Sequence, residues 1–74
     1  MNKLKIFTIP DGDWEALYVN GELKQDGHKI SINDISKYVP IDKIKTYYIQ
    51  NFDSDMDWFP KTIAEFPDHW MFES

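Results

Sequence analysis

Seventy-four residues and 8.8 kDa supply one small hydrophobic core and no material for a second, because a chain of this size buries only about 60 % of the surface its unfolded form exposes. With 42 % hydrophobic and 16 % aromatic residues the chain is too apolar to be disordered, although its mean hydropathy is −0.56. Cysteine is absent, which excludes a disulfide scaffold and a Cys-based zinc site and fits a reducing, cytoplasmic setting.

The first residues carry Lys3 and Lys5 but reach polar Pro10-Asp11-Gly12 within a few positions. No signal peptide is expected there, and no apolar run approaches the roughly 18 residues that span a bilayer. Residues 3–9 alternate as a strand, with Leu4 and Ile6 on one face and Lys3, Lys5, Phe7 and Ile9 on the other. Pro10-Asp11-Gly12-Asp13 punctuates it as a turn. Residues 14–19 are aromatic and β-branched enough for a second strand, and Asn20-Gly21 tolerates the positive φ angles of a two-residue type I′ hairpin. A third strand returns over residues 22–25 and ends at Asp26-Gly27.

Ser31 is placed to cap a short helix, because its hydroxyl can accept a free N–H of the first turn, and Asp34 three residues on favours the positive end of the helix dipole. Ile32, Ile35 and Val39 share one face of that helix, and Pro40 stops it. Residues 43–50 alternate as a fourth strand, so Tyr47 and Tyr48 point to opposite faces. Beyond them Pro60 and Pro67 bracket one helical turn over 61–66, and the rest of the tail is irregular.

The expected fold is therefore α+β: a small antiparallel β-sheet of three or four strands packed on one short α-helix, with an aromatic, acidic, largely irregular C-terminal tail. Residues 1–50 form the ββ(β)αβ core, and 51–74 pack on that same domain or on a partner. The expected core is Leu4, Ile6, Trp14, Leu17, Val19, Ile32, Ile35, Val39, Ile44 and Ile49.

Charge is unevenly spread along the chain. Acids and lysines cancel over residues 1–50, whereas 51–74 set six acids (Asp53, Asp55, Asp57, Glu65, Asp68, Glu73) against Lys61, so the whole net charge of −5 lies in the tail. That tail also carries Phe52, Trp58, Phe59, Phe66, Trp70 and Phe72, half of the chain's aromatics, which a merely solubilising acidic tail would lack. Arginine is absent and the sequence pI is about 4.7. Since arginine makes most bidentate grips on phosphates and base edges, direct nucleic-acid binding is not expected.

Motifs for catalysis or cofactors are missing. Asp53-Ser54-Asp55-Met56-Asp57 matches the start of a calcium loop, but Trp58 stands where the turn glycine belongs and Ala64 where a bidentate Glu belongs. The segment reads as a solvated acidic turn, as does the cluster Asp11, Asp13 and Glu15 around Gly12. His28 and His69 have no metal-ligand spacing, no nucleophile elbow occurs, and Gly12, Gly21 and Gly27 all sit at turns. The expectation is no enzyme activity, no cofactor and no metal.

Two roles remain for the tail. Its rings complete the core with the acids outside, or some of them form a partner-binding hot spot rimmed by carboxylates. The candidate partner-binding residues are Asp53, Asp55, Asp57, Trp58, Phe59 and Trp70; the three aspartates at alternate positions would line one side of an extended segment like a short row of phosphates.

The stretch Gly12-Asp13-Trp14-Glu15-Ala16-Leu17-Tyr18-Val19-Asn20-Gly21-Glu22-Leu23, continuing to Gly27-His28, resembles small, mostly uncharacterised proteins of phages and prophages in AT-rich Gram-positive bacteria. The resemblance covers the hairpin region only and transfers no functional residue. It implies a compact, non-enzymatic protein that binds one host protein. The combined expectation is an acidic, cytoplasmic, protein-binding module, a phage-type inhibitor that occupies a basic, nucleic-acid-binding surface of a host or phage protein. The alternative is a small self-associating accessory or assembly domain, with a homodimer as its form.

Overall fold

The protein is described by a computed structural model covering residues 1–9, 14–51 and 59–73. Among the described residues, five strands and one short helix occur in the order β1 (Asn2–Thr8), β2 (Glu15–Val19), β3 (Glu22–Gly27), α1 (Ile32–Ser36), β4 (Ile41–Ile49) and β5 (Phe72–Glu73). They build a single sheet ordered β3-β2-β1-β4-β5. A predominance of sheet with one minor helix agrees with the α+β class.

The β2–β3 hairpin is set by Asn20 and Gly21, whose φ angles of 54° and 88° are both positive, as a type I′ turn demands. Val19 pairs with Glu22 across it, and an irregularity between Leu17 and Tyr18 shifts the register farther along. Asn20 also ties the turn to β1, its amide N–H donating to the Lys3 carbonyl at 2.9 Å and its side-chain oxygen accepting from Lys3 N–H at 3.0 Å.

An antiparallel sheet is not what forms. β1 pairs antiparallel with β2 but parallel with β4, Leu4 lying opposite Ile44 and Phe7 opposite Tyr47. The cause is the α1 connection: β3 ends at the far end of the sheet, and the helical segment carries the chain back so that β4 starts beside the beginning of β1. A parallel pair needs such a crossover. The expected count of three or four strands also fails, because residues 72–73 add a fifth against Tyr48 and Ile49.

The sheet is buried on both faces at its centre. On one face Leu4, Ile6, Leu17, Val19 and Ile30 form a cluster, with Ile35, Tyr38 and Ile41 packed against it. On the other, Phe7, Ala16, Tyr18, Ile49, Phe59 and Trp70 cluster, with Ile9, Trp14, Leu23, Tyr47, Ile63 and Phe66 beside them. Strand alternation places successive residues of β1 and β2 on opposite faces, which accounts for β2 being buried from Ala16 through Val19.

Three expected core residues are corrected by this arrangement. Ile32 is 83 % exposed, Val39 64 % and Ile44 48 %. α1 is only five residues long, so one row of side chains, Ile35 and then Tyr38, reaches the sheet while Ile32 faces water. Val39 follows the end of the helix, and Ile44 lies on β4, which the small helix does not cover. Trp14 and Ile35 are half-buried.

The tail is not irregular throughout. Phe59 and Pro60 are buried, and the Tyr18 hydroxyl donates to the Pro60 carbonyl. Leu23 N–H donates to Lys61 O at 2.7 Å and Ile63 N–H to Gly21 O at 3.0 Å, stitching the tail to the hairpin. A 3₁₀ turn over Ile63–Glu65 follows, and the segment then recrosses the sheet to form β5, with Gln50 N–H donating to Met71 O at 2.7 Å.

Candidate functional site

Of the side chains expected to meet a partner, the structure places Phe59 (2 % exposed) and Trp70 (4 %) inside the domain. Their rings lie 6.3 Å apart, edge to face, and Trp70 packs on Phe66 at 4.9 Å. Phe66 in turn contacts Phe7 at 5.0 Å and Tyr18 at 5.2 Å. Phe7 is the hub of this layer: Tyr47 stacks on it at 5.2 Å and Tyr18 and Phe72 meet it edge-on. Phe59 and Trp70 therefore anchor the tail on the sheet. Asp53, Asp55, Asp57 and Trp58 lie outside the described residues.

The described tail acids, Glu65, Asp68 and Glu73, are exposed. Glu73 accepts from the Gln50 side-chain amide at 2.7 Å, which fixes one carboxylate beside the β4–β5 pair. Burial pushes the Tyr18 phenol well above its ordinary range, with the Asp26 and Glu65 carboxylates adding to the shift. The phenol is thereby held neutral as a donor to Pro60. At the helix, Ser31 N–H donates to the Asp34 carboxylate at 2.9 Å and Asp34 N–H to Ser31 Oγ at 3.3 Å, the two halves of a capping box. The backbone bond from Ser31, with help from the Gln25 and Ser31 side chains, holds the Asp34 carboxyl below its ordinary value.

A feature that charge counting along the chain misses lies on the face shared with the aromatic tail. In the parallel β1–β4 pair, Lys3 is opposite Lys43 and Lys5 opposite Lys45. The four are exposed and stand on one face of two adjacent strands, about 4.8 Å apart across the strands and about 6.7 Å apart along them. Half of the lysines of the chain thus meet in one patch. The Lys45 and Lys5 ammonium groups lie 5.3 and 6.0 Å from the Tyr47 ring centroid. An open groove of about 400 Å³ lined by Met1, Lys3, Lys5, Asn20, Gly21 and Ile63 adjoins them. Among the described residues the ion pair present is Lys24–Glu22, at 3.5 Å, and it is remote from this patch in the sheet order.

The sequence signal for the patch was Lys3-x-Lys5 and Lys43-x-Lys45, each pair sharing a strand face. Only the parallel pairing of those strands brings the two together. Tyr47 and Tyr48 do part to opposite faces, Tyr47 into the aromatic layer and Tyr48 onto the α1 side, 55 % exposed. Ile44 shares the exposed face of Tyr48, whereas Phe72 (42 % exposed), opposite Ile49, lies on the aromatic face, and Met71 (57 %) just precedes β5.

Among the described residues no three His, Asp or Glu side chains converge on a point where a metal could sit, and no helix is long and apolar enough to cross a membrane. No protein-family model, curated protein or solved structure matches the chain, so its own geometry carries the functional reading.

Proposed function

We propose that this chain is a non-enzymatic, acidic, protein-binding module, a phage-type inhibitor that acts in the host cytoplasm by setting its acidic C-terminal segment against a basic surface of a host protein. The supporting observation is that the tail is fastened at both ends of residues 59–73, at Pro60 by Tyr18 and at residues 72–73 by β4. Its buried rings act as inward anchors while Glu65, Asp68 and Glu73 face water. Carboxylates on a fixed frame meet a basic partner without the ordering cost of a free arm, and complementary charge speeds encounter. Asp53, Asp55, Asp57 and Trp58 extend the same acidic, aromatic stretch in sequence.

A pull-down from bacterial lysate at low and high salt tests this reading. The expected result is one stoichiometric partner released by salt, whose association rate falls several-fold when Asp53, Asp55 and Asp57 are all changed to Asn. Binding that is indifferent to salt and to the triple change contradicts it. Trp58→Ala is expected to raise the dissociation rate, as loss of a buried anchor typically costs about 2 kcal/mol or more.

The alternative of a self-associating accessory domain is favoured by one observation, the exposed apolar side chains Ile44 and Tyr48 on one face of β4. Sedimentation at tens of micromolar distinguishes the two: a monomer removes the homodimer reading.

A further inference from the structure

β4 is nine residues long, but β5 covers only Tyr48 and Ile49. Among the described residues no strand pairs with the remaining outer side of β4, residues 41–47. The direction of the free groups follows from one bond. Gln50 N–H points outward, to Met71 O, and backbone groups alternate sides along a strand. Hence Thr46 and Ile44 also turn their N–H and C=O groups outward, at an edge able to receive another strand.

The two faces flanking this edge differ sharply. Lys43 and Lys45 stand on one side, reinforced by Lys3 and Lys5 opposite them on β1. Ile44, Thr46 and Tyr48 stand on the other, and Ile44 and Tyr48 are 48 % and 55 % exposed. We propose that the outer edge of β4 is a strand-addition site for an extended partner segment that alternates acidic and apolar residues. Such a segment would pair its backbone with Ile44 and Thr46, set its carboxylates along the lysine quartet, and lay its apolar side chains beside Ile44 and Tyr48. The period of two in an extended peptide matches the same-face spacing of Lys43 and Lys45. A second copy of β4 fits less well, because edge-to-edge pairing would bring the Lys43 and Lys45 side chains of both copies onto one face, and like charges opposite each other destabilise a sheet. The site uses the opposite sign of charge from the proposed acidic surface, whose Glu73 lies opposite Tyr48 where β5 closes the edge.

The experiment is a titration of the full chain with a capped peptide of about eight residues alternating glutamate and valine, the length of a strand able to span the edge, followed by amide chemical shifts. Expected are shifts centred on Ile44 and Thr46 and binding at least about tenfold tighter than for a peptide of the same composition with its glutamates in one block. Thr46→Pro removes an outward N–H at an edge position where proline is tolerated and should abolish binding. The double change Lys43→Glu with Lys45→Glu replaces exposed side chains, gives up the contact of Lys45 with the Tyr47 ring and leaves the backbone pairing of β4 in place. It should weaken binding about tenfold or more and transfer it to a peptide alternating lysine and valine. Absence of binding to the parent, or equal binding to the charge-reversed variant, overturns the proposal. So does full binding to a folded Thr46→Pro chain. Shifts at β4 that follow protein concentration alone and are not displaced by the peptide also overturn it, in favour of a second copy.

Discussion

Tyr18 joins the two halves of the chain through one hydroxyl. It is fully buried on β2, its ring contacts Phe7 and Phe66, and its O–H donates to Pro60, 42 residues away. Tyr18→Phe should cost about 1 to 3 kcal/mol, since a buried carbonyl loses its donor, read as a lower urea midpoint at neutral pH. The phenol titrates higher in the folded chain than in the unfolded one. Its contribution is therefore fully present below the unfolded value of about 10 and is lost as pH rises beyond it. Stability should fall above about pH 10, and Tyr18→Phe should flatten that fall; an unchanged alkaline slope would contradict the assignment. At Gly21, with φ at 88° and open space around the position of a Cβ, substitution by Ala strains the backbone alone. A loss of about 1 kcal/mol is expected, measurable in the same urea titration.

At the level of elements, α1 depends on its cap more than on its length, since five residues are too few for a helix to persist by propensity. Ser31→Ala should cost about 1 kcal/mol. Because the Asp34 carboxyl is held low, the cap's contribution is present above the unfolded value of about 4 and is lost as pH falls through the lower folded value; acid titration of the helix amides checks this. Ser31, Asp34, Asn20-Gly21 and the alternation of β1 were legible in the sequence because each rests on local chemistry. β5 was not, because Phe72 and Glu73 are too few to show a period. Nor was the parallel pairing of β1 with β4, which depends on where the α1 connection returns the chain. The helix face was over-read for a related reason: Ile32, Ile35 and Val39 share a stripe only in a helix longer than the one that forms.

For the molecule as a whole, the decisive event is that one sheet acquires two covers. Helix and lead-in residues close the face of Leu4 and Leu17, while residues 59–73 close the face of Phe7 and Tyr18. Phe7, Ala16, Tyr18 and Ile30 were not legible as core because a β1 that also presents Lys3 and Lys5 reads as polar on one face, whereas Phe59 and Trp70 were open to two readings, rings that complete the core or partner contacts, and both are buried. Phe7→Ala should cost about 3 to 5 kcal/mol, enough to unfold much of so small a domain at room temperature, visible as loss of near-ultraviolet dichroism. The same folding gathers charge in space, bringing Lys3, Lys5, Lys43 and Lys45 together on two adjacent strands. That patch is invisible to counting along the chain.

The claim that the aromatic tail is a structural layer is tested most directly by native-state hydrogen exchange at Leu23 and Ile63, whose amides bond to Lys61 and Gly21 across the tail–hairpin seam. Both should exchange with the same protection free energy as Leu17 and Ile6 in the central strands, as one cooperative unit. Exchange of Ile63 at the rate of an unprotected peptide, while Leu17 and Ile6 remain protected, would contradict it.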